Sequence, residues 1–112
     1  MQKRGPVANG SDADLEPLVA LFRLLSDKTR LNILTLLARG ERNVTSLCEE
    51  LRLPQPTVSH HLAWLRMMDL VSPRRQGKHI YYALGRAVGF DDSGAMTFKA
   101  FDAVVTVTPK LT

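Results

Sequence analysis

The sequence predicts a mainly α-helical domain of the α+β class, with four helices followed by strands. Apolar residues recur at helical spacing from residue 15 to residue 68. Beyond residue 70 the pattern changes to strand-forming residues on both sides of a tight turn at Gly77. With 112 residues, 45% of them hydrophobic, the chain is long enough for one domain with a modest core.

The first two helices are delimited by residues that start and stop helices. Helix one is expected over residues 13–26, where acidic residues in the first turn favour the helix dipole. Ser26 or Asp27 is expected to cap the second helix, because either side chain can accept a hydrogen bond from an early backbone N–H. Gly40 is expected to end that helix, since glycine readily adopts the conformation that follows a last turn.

The third and fourth helices are separated by Pro54. Asn43 is a good N-cap, which predicts a short helix from Val44 to about Leu51. A longer helix is expected over residues 55–68, because proline is tolerated at its start and apolar residues then line one side. This apolar stripe consists of Val58, Leu62, Leu65 and Met68.

Two strands are expected next, over residues 70–75 and 79–84, joined by the turn at Gly77. A short helix joined tightly to a longer helix with one polar side is a helix-turn-helix, and the hairpin adds a wing. The predicted architecture is therefore a winged helix-turn-helix, assigned to residues 13–86.

Polar side chains on the longer helix and cations in the hairpin have the chemistry of a DNA contact surface. The amide of Gln55 can pair with adenine, and hydroxyls and imidazoles can bond bases or phosphates. Hairpin cations bind phosphates without regard to sequence. Of the two histidines, His60 is favoured for DNA, because His61 directly precedes the core position Leu62. The predicted DNA-binding residues are Gln55, Thr57, Ser59, His60, His61, Arg74, Arg75 and Lys78.

The charge distribution favours an anionic partner. The formal net charge is +4, and three cations lie between residues 74 and 78 with no acid among them. Such clustering is typical of nucleic-acid binding, and a solvated hairpin tip is the alternative account. Double-stranded DNA is the predicted partner. The alternatives are a protein-interaction module, since winged helices also dock proteins, and an RNA-binding protein that uses the same basic surface.

Two segments resemble the ArsR/SmtB family of bacterial winged-helix repressors: LFRLLSDKTRLNILTLLARGE and LPQPTVSHHLAWLRMMDLVSPRRQGKHIYYAL. The resemblance covers residues 15–84. It implies a homodimeric repressor that leaves its operator when it senses a metal, a metalloid or another signal. In such a dimer, two copies of the longer helix would enter successive major grooves about 34 Å apart on a near-palindromic operator.

Neither metal site that the resemblance implies has its ligands here. Asn43 stands where several family members carry a metal-binding cysteine, and the one cysteine, Cys48, cannot form a thiolate cluster within one chain. No histidine follows Leu84, where other members bind metal through a last helix. No metal and no cofactor are expected. The inducing signal stays open among a small molecule, a redox change at Cys48, a partner protein and none at all.

Enzymatic and membrane functions are disfavoured. The sequence contains no spacing typical of a catalytic triad and no glycine-rich phosphate loop, so no catalytic residue and no enzyme activity are expected. No apolar run approaches the roughly 20 residues that span a bilayer.

Two features of the sequence bear on the location of the protein. The N-terminus lacks the apolar segment of a signal peptide. The one cysteine allows no disulfide within the chain. The expected location is the cytoplasm.

The two ends of the chain differ in composition from its middle. Residues 1–12 are expected to form a flexible N-terminal arm. Residues 87–112 are rich in β-forming residues and predict a C-terminal β extension in place of the family's last helix. That extension is expected to form two short strands with a turn near residues 100–102, or one longer bent strand. An open strand can pair across a two-fold axis, so the extension is a candidate dimerisation element.

Overall fold

The computed structural model describes residues 12–108, and its side chains are described from residue 15 onward. The helices are α1 (Asp12–Leu25), α2 (Lys28–Ala38), α3 (Val44–Leu51) and α4 (Gln55–Met67). The strands are β1 (Arg42–Asn43), β2 (Val71–Gln76), β3 (His79–Leu84), β4 (Val88–Phe90), β5 (Met96–Ala100) and β6 (Ala103–Val107). Wherever bounds were predicted for a helix or for the hairpin, they differ from these by at most one residue. The predicted N-terminal arm lies outside the described residues, apart from Asp12.

The helices enclose one apolar core. Val58, Leu62 and Leu65 of α4 are fully buried, as their helical spacing predicted, and Met68 packs against the core from the end of the helix. Burying an aliphatic side chain of this size contributes about 1.5–3 kcal/mol, so this stripe fixes which side of α4 faces inward. The opposite, polar side is thereby turned toward solvent.

Side-chain caps begin the second and third helices. Asp27 is the N-cap of α2, because its carboxylate accepts a hydrogen bond from Arg30 N at 3.0 Å. Ser26, the other predicted candidate, instead donates its hydroxyl to the carbonyl of Arg23 at 2.8 Å. Asn43 caps α3 as predicted, with its side-chain oxygen 2.7 Å from Ser46 N. The structural role of Asn43 is therefore accounted for without a metal.

The wing is the antiparallel hairpin of β2 and β3, to which β1 adds a short third strand in the order β1-β3-β2. Gln76 pairs with His79, which leaves a two-residue loop at Gly77 and Lys78. Gly77 has a φ of 62°, the value that the first loop position of a type II′ turn requires. Strand β1 was not predicted, because two residues carry no periodicity.

The C-terminal extension is a second antiparallel sheet with the strand order β4-β5-β6. Of the two arrangements expected, two strands joined by a turn is the one found, with the turn at Phe101 and Asp102. Strand β4 was missed because it is short and contains Gly89. Pairing of Phe98 with Val88 and Val105 puts these three apolar side chains on one face. Phe98 is fully buried and belongs to the same core cluster as the helices.

A close backbone approach at Gly85 holds the end of the wing against the connection between α4 and β2. Gly85 N donates to the carbonyl of Leu70 at 2.9 Å, and Ala87 N donates to the carbonyl of Asp69 at 3.0 Å. A Cβ on Gly85 would overlap the carbonyl oxygen of Asp69 and lie 2.9 Å from Val71 N. Only glycine therefore fits where the chain leaves β3.

Candidate nucleic-acid interface

The first turns of α4 present polar side chains to solvent. Gln55, Ser59 and His60 are exposed, whereas Thr57 is half-buried. The N-cap residue is Pro54, whose side chain has no acceptor for the first backbone N–H groups. Pro54 and Pro56 have no N–H, and Thr57 N and Val58 N already donate to Pro54 O at 3.1 and 3.2 Å. Side chains therefore supply most of the hydrogen-bond donors at this end of α4.

The two adjacent histidines of α4 have different surroundings. His60 is exposed, and its Nε2 accepts a hydrogen bond from Trp64 Nε1 at 3.1 Å. His61 is half-buried, with its Nδ1 3.3 Å from Arg30 Nη1 of α2. Adjacent positions on a helix point about 100° apart, which explains the difference. His60 is therefore available to a bound molecule at the surface, and His61 contacts the neighbouring helix.

Arg30 is a structurally important residue that the sequence did not reveal. Its Nε donates to the carbonyl of Leu24 at 2.9 Å and its Nη2 donates to the carbonyl of Arg23 at 3.2 Å. These bonds satisfy carbonyls at the end of α1 that have no partner within the helix. With its contact to His61, Arg30 links α1, α2 and α4. No local pattern distinguishes it from the other arginines of the chain.

The cations of the wing lie on opposite faces of the hairpin. Arg74 is paired with Tyr81 and Arg75 with Ile80 across the strands, so the two arginines point to different sides. Arg74 lies over the Tyr81 ring, 5.2 Å from its centroid, and donates Nη1 to Gln76 Oε1 at 2.7 Å. It also forms a salt bridge with Glu41.

Arg75 and Lys78 are exposed and lie close to the tip of the wing. The salt bridges found between residues 12 and 108 join Arg42 to Glu50, Arg74 to Glu41 and Arg86 to Asp69, and involve neither of these two cations. Their charge is therefore not neutralised by a carboxylate in that part of the chain. A bound phosphate would find Arg75 and Lys78 more available than Arg74.

The salt bridge between Glu41 and Arg74 changes the ionisation of both partners. The hydrogen bond from Arg74 lowers the pKa of Glu41 below its ordinary value of 4.5. The same contact raises the pKa of Arg74. Sequence inspection missed this pairing, because 33 residues separate the two side chains.

Other kinds of site are not evident in the described part of the chain. Among residues 12–108, no three His, Cys, Asp or Glu side chains lie close enough to hold a metal ion together. Cys48 is half-buried against the core. None of the helices described here combines the length and the apolar character that a bilayer crossing requires.

A short helix, a tight connection, a helix with a polar outer side and a basic hairpin define the winged helix-turn-helix class. The chain belongs to the ArsR family of bacterial regulatory proteins, whose family model matches residues 27–72. The predicted fold class and family are thus confirmed. The members to which it is similar are transcriptional regulators and not enzymes, as expected from the sequence.

Three relatives illustrate this membership. The HTH-type transcriptional regulator KmtR of Mycobacterium tuberculosis is 48% identical over 60% of this chain and 52% of its own length. The chain thus spans about half of KmtR. The transcriptional repressor SdpR of Bacillus subtilis is 37% identical over 61% of this chain and 76% of its own. The crystal structure of NolR from Sinorhizobium fredii superposes with a TM-score of 0.63 at 31% identity, covering 83% of this chain and 85% of NolR.

Proposed function

We propose that this chain is a transcriptional repressor that binds a near-palindromic DNA operator as a homodimer. One observation carries the proposal: exposed Gln55, Ser59 and His60 lie on the outer side of α4, the second helix of the helix-turn-helix. A helix of this kind fits the major groove, where its amide, hydroxyl and imidazole groups can distinguish base pairs. A cytoplasmic location belongs to the same proposal.

The wing supports this function through charge. Arg75 and Lys78 are exposed and have no carboxylate partner in the described chain, so they are free to bind phosphates beside the groove. Such contacts add salt-dependent affinity and hold the protein in register, while α4 supplies the choice of sequence. The similarity to SdpR, a transcriptional repressor, supports repression.

A titration with DNA tests the DNA-binding part of the proposal. Fluorescence anisotropy with the gene's own promoter, at two salt concentrations, should show tight binding that weakens with salt. An unrelated duplex should bind far more weakly. Gln55→Ala should reduce this discrimination, whereas Glu49→Gln, an exposed change on α3, should leave it intact. Equal binding of both duplexes would overturn sequence-specific recognition.

The alternatives give different results in the same assay. An RNA-binding protein would be displaced from its complex by structured RNA more readily than by duplex DNA. A protein-docking domain would show no binding to either nucleic acid.

Two exposed apolar surfaces favour a dimer. On α1, Val19 and Phe22 lie three residues apart on the helix surface and are exposed. On the C-terminal sheet, Phe90 and Val107 are exposed. They lie on the same face as Phe98, which is buried in the core. Apolar side chains grouped in this way are typical of an interface with another copy. We propose that a second copy covers both surfaces.

Charge substitutions test this dimer better than truncation does. Removing the extension would also remove Phe98 from the core, so loss of a dimer would have two explanations. Val107→Lys adds a charge on the apolar face, and Thr106→Lys adds the same charge on the opposite face. Light scattering should show that only Val107→Lys shifts the protein toward monomer. A mass that neither change alters would contradict the proposed use of the extension.

A further inference from the structure

An open cleft of about 530 Å³ lies beside the DNA-facing helix, between α1 and α4. We call it the α1–α4 cleft. The volume is in the range of about 300–1,000 Å³ that small-molecule sites occupy. It is lined by Arg23, Leu24, Arg30, Trp64, Met67 and Met68, together with the small Ala20.

Two large apolar side chains of the cleft are exposed at the surface. Trp64 is 44% exposed and Met67 is 75% exposed, although both are apolar over most of their length. An indole face packs well on a flat or branched apolar group, and thioethers adapt to irregular shapes. The apolar wall therefore suits a ligand with an aromatic or branched body.

The polar groups of the cleft carry one sign of charge. Arg23 and Arg30 both line it, and no Asp or Glu does. Arg30 uses its donors on two backbone carbonyls and His61, whereas the exposed guanidinium of Arg23 has no salt bridge within residues 12–108. An arginine fork matches the two oxygens of a carboxylate. Charge complementarity thus selects an anionic ligand.

We infer that the α1–α4 cleft binds an organic anion that has one carboxylate and an aromatic or branched apolar body. The carboxylate pairs with Arg23, and the apolar body packs on Trp64 and Met67. This assignment depends only on the cleft and does not require that the protein bind DNA.

The regulatory consequence rests on the proposed function. Two side-chain contacts connect residues of the cleft with the histidines of α4: Trp64 Nε1 to His60 Nε2 at 3.1 Å within the helix, and Arg30 Nη1 of α2 to His61 Nδ1 at 3.3 Å. An anion held at the cleft adds negative charge next to a helix that faces phosphates. It therefore binds the free protein better than the DNA complex, and by linkage it lowers operator affinity.

Intrinsic fluorescence can report binding directly, because Trp64 is the only tryptophan in the chain. The probe is 3-phenylpropionate, with neutral 3-phenylpropanamide as its matched partner, since neither absorbs where tryptophan is selectively excited. We expect a saturable change in Trp64 emission with the carboxylate and at least about fivefold weaker binding of the amide. Arg23→Gln should weaken binding of 3-phenylpropionate by a similar factor. Arg39→Gln, which changes an exposed arginine outside the cleft, should leave that binding unchanged.

Several results would overturn the inference. Equal binding of acid and amide, or equal effects of Arg23→Gln and Arg39→Gln, would show that charge does not select the ligand. An emission change that follows protein concentration and not probe concentration would mean that a second copy covers the cleft. Operator titrations with saturating probe test regulation separately. Unchanged operator affinity would reject the coupling alone, and no operator binding even without probe would reject the proposed function while leaving the ligand site intact.

Discussion

Arg74 of the wing and Glu41 before β1 form a two-pronged salt bridge. Arg74 Nε lies 3.0 Å from Glu41 Oε2, and Arg74 Nη2 lies 2.6 Å from Glu41 Oε1. The neighbouring Arg75 points to the other face of the hairpin and has no such partner in the described chain. Two adjacent arginines of one basic cluster therefore differ in how much uncompensated charge they carry.

This difference predicts unequal effects on the salt dependence of DNA binding. Arg75→Gln should reduce the slope of log affinity against log salt by about 0.9, the value for one lost phosphate contact. Arg74→Gln should change it less, because Glu41 already compensates that charge. Anisotropy titrations across a salt series measure both slopes.

Glu41→Gln provides the control for that comparison. Removing the carboxylate charge releases Arg74, so the slope should become steeper by up to about 0.9. If Arg74→Gln and Arg75→Gln change the slope equally, the salt bridge does not persist in the DNA complex.

The two histidines of α4 should separate DNA binding from stability. His60→Ala removes an exposed side chain and should cost about 1–3 kcal/mol of operator affinity, the range for a base contact, with little effect on unfolding. His61→Ala removes the contact with Arg30 and should cost about 1 kcal/mol of unfolding free energy. Anisotropy and urea unfolding of both variants check the two values. Reversed effects would show that His61 and not His60 faces the DNA.

Gly85 should tolerate no side chain. A Cβ there would lie 2.6 Å from the carbonyl carbon of Asp69, so Gly85→Ala must displace backbone and should cost about 3 kcal/mol or more. Gly89→Ala is the matched control, since its Cβ would meet only the Thr97 hydroxyl at 3.2 Å. Urea unfolding should show a much larger loss for Gly85→Ala. Equal losses would mean that the backbone at Gly85 can move away from Asp69 at little cost.

Asp91 should make stability depend on pH in the acid range. Its Oδ1 accepts hydrogen bonds from Ser93 Oγ at 2.6 Å, Ser93 N at 2.9 Å and Ala95 N at 3.0 Å. The Ser93 hydroxyl, followed by the backbone N–H groups, lowers the pKa of Asp91 below its ordinary value of 3.8. A carboxyl with a lowered folded-state pKa stabilises the fold above its unfolded pKa, and this stabilisation is lost as pH falls through the folded value.

The variant Asp91→Asn tests this dependence. It should unfold at a lower temperature than the parent at neutral pH, and the difference should shrink as the pH falls below 3.8. Asp92→Asn, at the adjacent exposed residue, is the control, and its unfolding temperature should match that of the parent at each pH. Thermal melts from neutral pH to pH 3 supply the comparison. A difference that is constant across this range would show that the charge of Asp91 is not responsible.

The order of elements and most of their bounds were predictable, because the signals are local. The spacing of Val58, Leu62 and Leu65 marks the buried side of α4, and Asn43 marks the start of α3. The exposure of His60 relative to His61 also followed from the position of the core stripe. Strands β1 and β4 escaped prediction, since strands of two or three residues are defined by their partners and not by their own sequence.

The sequence by itself determined the winged helix-turn-helix, the polar outer side of α4 and the β-rich extension. Helical periodicity, capping and turn chemistry act over a few residues, and they suffice for those features. Only the tertiary structure decided that Glu41 compensates Arg74, that Arg30 joins three helices and that Gly85 admits no side chain. These are contacts between segments distant along the chain, and their geometry exists only once the core has brought those segments together.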